Sequence, residues 1–195
     1  MSSNHHGCEC QTLSCRIEQE TGVKITDCYQ CGKCSAGCPL AIEMDYPPSQ
    51  LLRMLQIGTP ALEEKVLKSM TIWLCLTCET CIARCPQEVD LPKVMDFLRH
   101  ESLKRGFENP KAKDIIKFHK AFLDSIQMTG RLWEMGLVVD YKVRSVPKHM
   151  MQDVHLTPWM VSKGKLHIVP EQVKDTDQMG RIFSKTLKKK KEEPR

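Results

Sequence analysis

The stretch Cys28–Pro39, "CYQCGKCSAGCP", holds four cysteines in the spacing C-x2-C-x2-C-x3-C and ends on a proline. The same spacing returns in Cys75–Pro86, "CLTCETCIARCP", at a constant offset of 47 residues. An offset shared by every cysteine and by the closing proline indicates an internal repeat. We therefore expect two similar half-sites related by a pseudo-two-fold arrangement.

The cysteines of the two motifs are predicted to bind iron–sulfur clusters. In two-cluster ferredoxins, three thiolates at this spacing bind one [4Fe–4S] cluster, and the fourth, before proline, binds the other. This rule predicts two ligand sets: Cys28, Cys31, Cys34 and Cys85 for one cluster, and Cys75, Cys78, Cys81 and Cys38 for the other. Because all eight thiolates are then used, no iron keeps an open position for a substrate. The pattern predicts an electron carrier without catalytic residues.

Zinc binding and disulfide formation are the competing explanations of these motifs. A C-x2-C pair is also half of a zinc ribbon, and cysteine-rich secreted chains form disulfide frameworks. Zinc sites, however, usually combine two separated pairs, and the N-terminal sequence "MSSNHHGCEC" has no export signal. We therefore favour iron–sulfur clusters and expect a cytoplasmic protein.

The segments around the motifs are predicted to be helical. Ser49 and Gly58 mark the expected start and stop of one helix, and Thr59 before Pro60 starts the next. Further helices are predicted at 91–105, 110–128 and near the C-terminus, with one short extended piece in "GKLHIVP". A mainly α fold, an α-helical ferredoxin with two [4Fe–4S] clusters and an irregular C-terminal arm, is the expected class.

Three regions are expected along the chain. Residues 1–26 form a mobile N-terminal segment, 27–130 the two-cluster ferredoxin domain, and 131–195 a partner-docking arm with a basic tail. The N-terminal segment carries three more thiols, Cys8, Cys10 and Cys15, close to His5 and His6. We interpret them as free thiols, with a third metal site as the alternative.

Composition argues against several other functions. The net charge of +5 owes much to the run Lys188–Lys191 and is not interleaved with aromatic residues, so nucleic-acid binding is not expected. No apolar run is long enough to span a bilayer, and no glycine-rich phosphate or dinucleotide loop is present in the sequence.

Several further residues have two open interpretations. Lys33 and Arg84 lie inside the motifs and would either raise the cluster potentials or simply face water. Trp73 would either shield a cluster or belong to the core. The methionines Met150, Met151 and Met160 would either contact a partner subunit or pack back on their own domain.

From Asp27 to Leu187 the chain resembles the C subunit of heterodisulfide reductases and its bacterial relatives. The two cysteine motifs and "GRLWEMGLVVDYK" carry this resemblance. It implies a relay that takes electrons from a flavin-containing A subunit and passes them to a cysteine-rich B subunit, where a disulfide is reduced. Similar motifs occur in quinone-linked dehydrogenases of the fumarate reductase or glycolate oxidase type, which are the alternative.

Overall fold

The computed structural model describes residues 12–145, 154–165, 169–170, 173 and 176–192. Its α-helices are α1 Leu13–Thr21, α2 Lys33–Ala36, α3 Pro48–Ile57, α4 Pro60–Lys68, α5 Thr71–Leu74, α6 Thr80–Ala83, α7 Leu91–Arg105, α8 Lys113–Thr129, α9 Glu134–Arg144, α10 Thr157–Ser162 and α11 Thr176–Glu192. Three single-turn 3-10 helices occupy Ile25–Asp27, Pro110–Ala112 and Val154–Leu156. No strand occurs within the described ranges. The predicted mainly α class is confirmed.

The chain divides into two compact units, Met1–Ala112 and Lys113–Arg195. Both cysteine motifs lie in the first unit. Helix α8, which the sequence grouped with the motifs, lies in the second unit because it packs against α9 and α11. The domain limits at residues 26 and 130 stay predictions.

Most helix limits follow from capping residues that the sequence makes visible. Asp90 accepts a hydrogen bond from the Lys93 amide, from N to Oδ1 over 3.2 Å, and starts α7. Gly58 and Gly106 end α3 and α7 in the left-handed conformation, at φ of 64° and 69°. The predicted cap Ser49 is wrong. Pro47 holds the N-cap position of α3 instead, and both the amide and the hydroxyl of Ser49 bond to the Ser35 hydroxyl of the first motif.

The core of the first unit lies between α1, α3, α4 and α7. Its fully buried aliphatic side chains are Leu13, Ile17, Ile25, Leu51, Leu55, Val66, Leu67, Ile72, Val94, Met95 and Leu98. Leu13 and Ile17 stand one helical turn apart on α1, so this helix is part of the core. The expectation that residues 1–26 form a mobile extension is therefore wrong for α1.

Two buried carboxylates attach α1 to the rest of the first unit. Glu63 on α4 accepts a hydrogen bond from the Leu13 amide, from N to Oε1 over 2.7 Å, and so binds the helix N-terminus. Glu101 on α7 is 2% exposed and pairs with both Arg16 and Arg105. These contacts give hydrogen-bond partners to a buried amide and to buried charged groups, which the surrounding apolar side chains could not provide.

The second unit is built on the α8–α9 pair, with α11 also packed on α8. Phe118 and Tyr141 meet edge to face with 5.7 Å between ring centroids. Arg144 pairs with Asp124 across the two helices at 2.7 Å. The predicted C-terminal helix corresponds to α11. Residues 166–168 of the predicted extended piece, Met150 and Met151 lie outside the described residues, and the described residues 164–165 and 169–170 form no strand.

No helix among the described residues has both the length and the apolar character that crossing a membrane requires.

Candidate metal centres

The two cysteine motifs have matching backbone conformations. Gln30 and Thr77, each directly before the second cysteine, are left-handed at φ of 63° and 51°. Gly32 and Glu79, each directly after it, are also left-handed at φ of 76° and 60°. A short helix follows in both cases, α2 or α6. Alternating left-handed residues curl each loop, so that its cysteine side chains turn toward a common space.

A side chain from a core helix holds each loop at its first cysteine. The Gln56 amide on α3 donates to the carbonyl oxygens of Ile25 and Cys28, over 3.0 and 2.6 Å. The Arg99 guanidinium on α7 donates through Nε to the carbonyl of Ile72 over 2.5 Å and through its terminal nitrogen to that of Cys75.

These two carbonyl pairs are related by the 47-residue offset, so the same backbone atoms are bound in both halves. Arg99 and Gln56 themselves are not related by that offset. The repeat therefore keeps the anchoring point but uses a cation in one half and a neutral amide in the other.

The two motifs also contact each other where α2 and α6 pack together. Gly37 lies against the Arg84 side chain, and a Cβ added at Gly37 would stand 2.6 Å from Arg84 Cδ. These positions are equivalent in the repeat. The first motif is further joined to α3 by a 2.8 Å hydrogen bond between the Ser35 and Ser49 hydroxyls.

The motif cysteines surround two cavities of the first unit, which we call the first and second site. The first site is lined by five cysteines, Cys28, Cys31, Cys34, Cys81 and Cys85. The second site is lined by Cys38, Cys75, Cys78 and Cys81. The second cavity thus takes three cysteines from one motif and its fourth from the other, whereas the first takes three from one motif and two from the other. Each predicted ligand set lies within one of these linings, and ligation itself stays a prediction.

Apolar side chains complete both cavities. Leu52, Val89 and Leu91 border the first site, and Met44, Leu91 and Met95 border the second. Five of these side chains belong to the buried core of the unit, at 7% exposure or less: Met44, Leu52, Val89, Leu91 and Met95. Water is therefore kept from the inner faces, whereas Cys31 and Cys78 lie at the exposed rim.

The burial of the thiols has electrostatic consequences. Burial raises the pKa of Cys34 and Cys75 above the ordinary value, and it raises the pKa of Cys81 to about 11. Cys78 is exposed, and hydrogen bonding with the Thr80 hydroxyl lowers its pKa. A metal that binds here must displace protons from the buried thiols, so metal affinity increases with pH.

The donor set fits iron–sulfur clusters. Four thiols in a half-apolar cavity are the ligands of a [4Fe–4S] cluster. Within the ranges that the structure describes, no group of three or more His, Cys, Asp or Glu residues is arranged to hold a single metal ion.

The structure distinguishes between the interpretations left open by the sequence. Lys33 and Arg84 are exposed, and Arg84 also covers Gly37. Trp73 is 5% exposed and belongs to the core. Sequence reasoning missed Gln56 and Arg99. No local motif marks them, because they become loop anchors only through helix packing.

Cys15, the N-terminal cysteine that the structure describes, lines neither of the two cavities. Cys15 on α1 is disulfide-bonded, so its interpretation as a free thiol is wrong. Cys8 and Cys10, with His5 and His6, lie outside the described residues.

Comparison with known proteins agrees with this donor set. Residues 24–89 match the family model described as a 4Fe-4S dicluster domain. The chain is 32% identical over 103 residues to the C subunit of the H(2):CoB-CoM heterodisulfide,ferredoxin reductase of Methanothermobacter marburgensis, covering 53% of this chain and 54% of the relative. The resemblance to the C subunit of heterodisulfide reductases is confirmed.

Two further relatives are also C subunits by name. The iron-sulfur C subunit of the CoB--CoM heterodisulfide reductase of Methanopyrus kandleri is 29% identical over 137 residues, 70% of this chain and 64% of the relative. The corresponding C 2 subunit of Methanocaldococcus jannaschii is 37% identical over 117 residues, 58% and 61% of the two chains. The matches span between about half and two thirds of these relatives.

Proposed function

We propose that the chain is a non-catalytic electron-transfer subunit of a heterodisulfide-reductase-like complex, with two [4Fe–4S] clusters. In this proposal the first site holds one cluster through Cys28, Cys31, Cys34 and Cys85, and the second site holds the other through Cys75, Cys78, Cys81 and Cys38. The observation that supports it is the lining of the two cavities, each with three cysteines of one motif and at least one of the other, so that each predicted ligand set lines one cavity.

A bound [4Fe–4S] cluster supplies a one-electron carrier. The protein contributes thiolates, loop geometry and the exclusion of water from the inner faces. Because each cavity offers four cysteines, every iron of a cluster can be bound by protein. No open iron position is left for a substrate, which favours a relay over catalysis.

The exposed rims suggest where electrons enter and leave. Cys31 and Cys78 are exposed at equivalent places in the repeat. Each has an exposed apolar neighbour, Tyr29 at 58% and Leu76 at 65% exposure. Exposed apolar side chains beside a redox site are suited to contact with a partner subunit.

By the family resemblance, one rim would face a flavin-containing A subunit and the other a cysteine-rich B subunit. Electrons would pass from the first partner to the second through the two clusters. The names of the relatives support a subunit within a heterodisulfide reductase complex.

Iron content and ligand exchange test this proposal. Anaerobically purified protein should contain about eight irons per chain, two cubes of four. Two triple variants then separate the crossed ligand sets from uncrossed ones. Both carry Cys28→Ser and Cys31→Ser. One adds Cys85→Ser and the other adds Cys38→Ser.

With crossed ligation, the Cys85→Ser variant should keep about four irons and the electron paramagnetic resonance signal of one reduced cluster. The Cys38→Ser variant should damage both sites, although it lacks the same number of cysteines. The reverse result would show uncrossed ligation. Zinc in place of iron, or disulfide reduction by the isolated chain, would contradict the relay.

A further inference from the structure

The two sites differ in charge at the point where their loops are anchored. Arg99 donates to the carbonyls of Ile72 and Cys75 at the second site. At the first site, the neutral amide of Gln56 makes the equivalent contacts. The Arg99 side chain is only 17% exposed. Its charge is therefore less screened by water than a surface charge.

A nearby cation stabilises the more negative state of a redox centre. Reduction adds negative charge to a cluster, and net charge and hydrogen bonding around the ligands help to set its potential.

Other charges near the motifs are weaker candidates for this role. Lys33 in the first motif, Arg53 beside Gln56 and Glu79 in the second motif have signs that oppose the effect of Arg99, but all three are exposed. Asp96 pairs with Arg99 at 2.9 Å and is 64% exposed. It offsets part of the charge of Arg99, mostly from the solvent side.

We propose that Arg99 is a positioning residue that makes the second site the more readily reduced of the two. Gln56 positions the first loop in the same way without adding charge, so the first site keeps the lower potential. This inference rests on the proposed presence of two clusters. It gives the relay a direction, because electrons move spontaneously from the lower-potential site to the higher-potential one.

Redox titration of the cluster-loaded chain under anaerobic conditions, followed by electron paramagnetic resonance, tests the proposal. Arg99→Gln, which copies the neutral anchor of the first site, should lower the higher of the two potentials and leave the lower one in place. Asp96→Asn should raise the same potential, because it removes the counter-charge and leaves the carbonyl contacts intact. Arg99→Lys should keep most of the wild-type potential.

Lys93→Gln is the matched control. It removes one positive charge from the same helix, but Lys93 is 63% exposed and its partner is Asp90, not a loop carbonyl. It should move neither potential. If Arg99→Gln fails to retain its clusters, Asp96→Asn alone decides the question.

Unchanged potentials in both Arg99→Gln and Asp96→Asn would overturn the inference, as would a shift confined to the lower potential. The underlying proposal fails separately. If wild-type protein lacks two reducible clusters by iron analysis and spectroscopy, the proposed function is wrong whatever the variants do.

Discussion

Replacing Glu101 with glutamine should destabilise the first unit by about 2 kcal/mol. The carboxylate is buried, and Arg16 donates to both of its oxygens, over 2.5 and 2.8 Å. Arg105 adds a third hydrogen bond from the same helix. A glutamine side chain keeps the shape but offers one acceptor oxygen and no charge.

The magnitude follows from the exposure of each partner. Hydrogen bonds to a charged group are worth roughly 1.5–3 kcal/mol, and the two-pronged contact with Arg16 is the stronger kind. The Arg105 side chain is 37% exposed, so water replaces much of its interaction and it adds little. A loss of about 2 kcal/mol corresponds to a fall of roughly 4–8 °C in melting temperature for a chain of this size.

The pH dependence has a definite sign. Burial alone would raise the pKa of Glu101, but the hydrogen bonds from Arg16 and Arg105 outweigh it and hold the pKa below the usual range. A depressed pKa in the folded state means that the stabilisation is fully present above the unfolded-state value, about 4.3. The stabilisation is lost as the pH falls through the lower, folded-state pKa.

Anaerobic chemical denaturation of the cluster-loaded protein, followed by circular dichroism, measures the difference. Glu64→Gln is the control, because it removes the same charge from an exposed pair with Lys68 and should cost less than about 0.5 kcal/mol. The difference between wild type and Glu101→Gln should stay constant from neutral pH to about pH 5. If Glu101→Gln costs no more than Glu64→Gln, the assigned role of this contact is wrong.

Two further predictions concern the loops and the second unit. Gly32→Ala should destabilise the protein by about 1 kcal/mol, because alanine is strained at the left-handed φ of 76°. Glu79→Gly at the equivalent position should be neutral or stabilising by less than about 1 kcal/mol. Thermal melts of both variants measure these changes. An equal loss of stability in the two variants would contradict the prediction. A chain that ends at Ala112 should keep its full iron content, because both cysteine motifs lie in the first unit. Co-purification with partner subunits should weaken, because the predicted docking arm, residues 131–195, is removed while the two rims remain. A fall in iron content would show that the second unit supports the sites.

The grouping of the motif cysteines around two cavities and the main helix limits could be predicted because their causes are local. The spacing of four cysteines and a proline is specific, and the caps at Asp90, Gly58 and Gly106 act within one turn. The sequence therefore indicated both the kind of site and the helical insert between its halves.

The remaining features depend on packing between distant segments. Arg99 is an ordinary helix residue until α7 brings it to the carbonyls of Ile72 and Cys75. Helix α1 is short and has no strong sequence signal of its own. Its place in the fold is recognised from the burial of Leu13 and Ile17 in the core. Such contacts have no signature in a single sequence, since each partner is fixed by the position of another helix.

The interleaved lining of the two cavities has a consequence for the life of the protein. Cys81 and Leu91 border both sites. The two cavities therefore share part of their lining, and a change in this part affects both. If the crossed ligation holds, oxidative attack at the exposed Cys31 would free Cys85 and loosen the loop that also supplies the neighbouring site. Damage at one rim would then spread to both centres. Under the same crossed ligation, insertion of either cluster would require both cysteine loops to be in place.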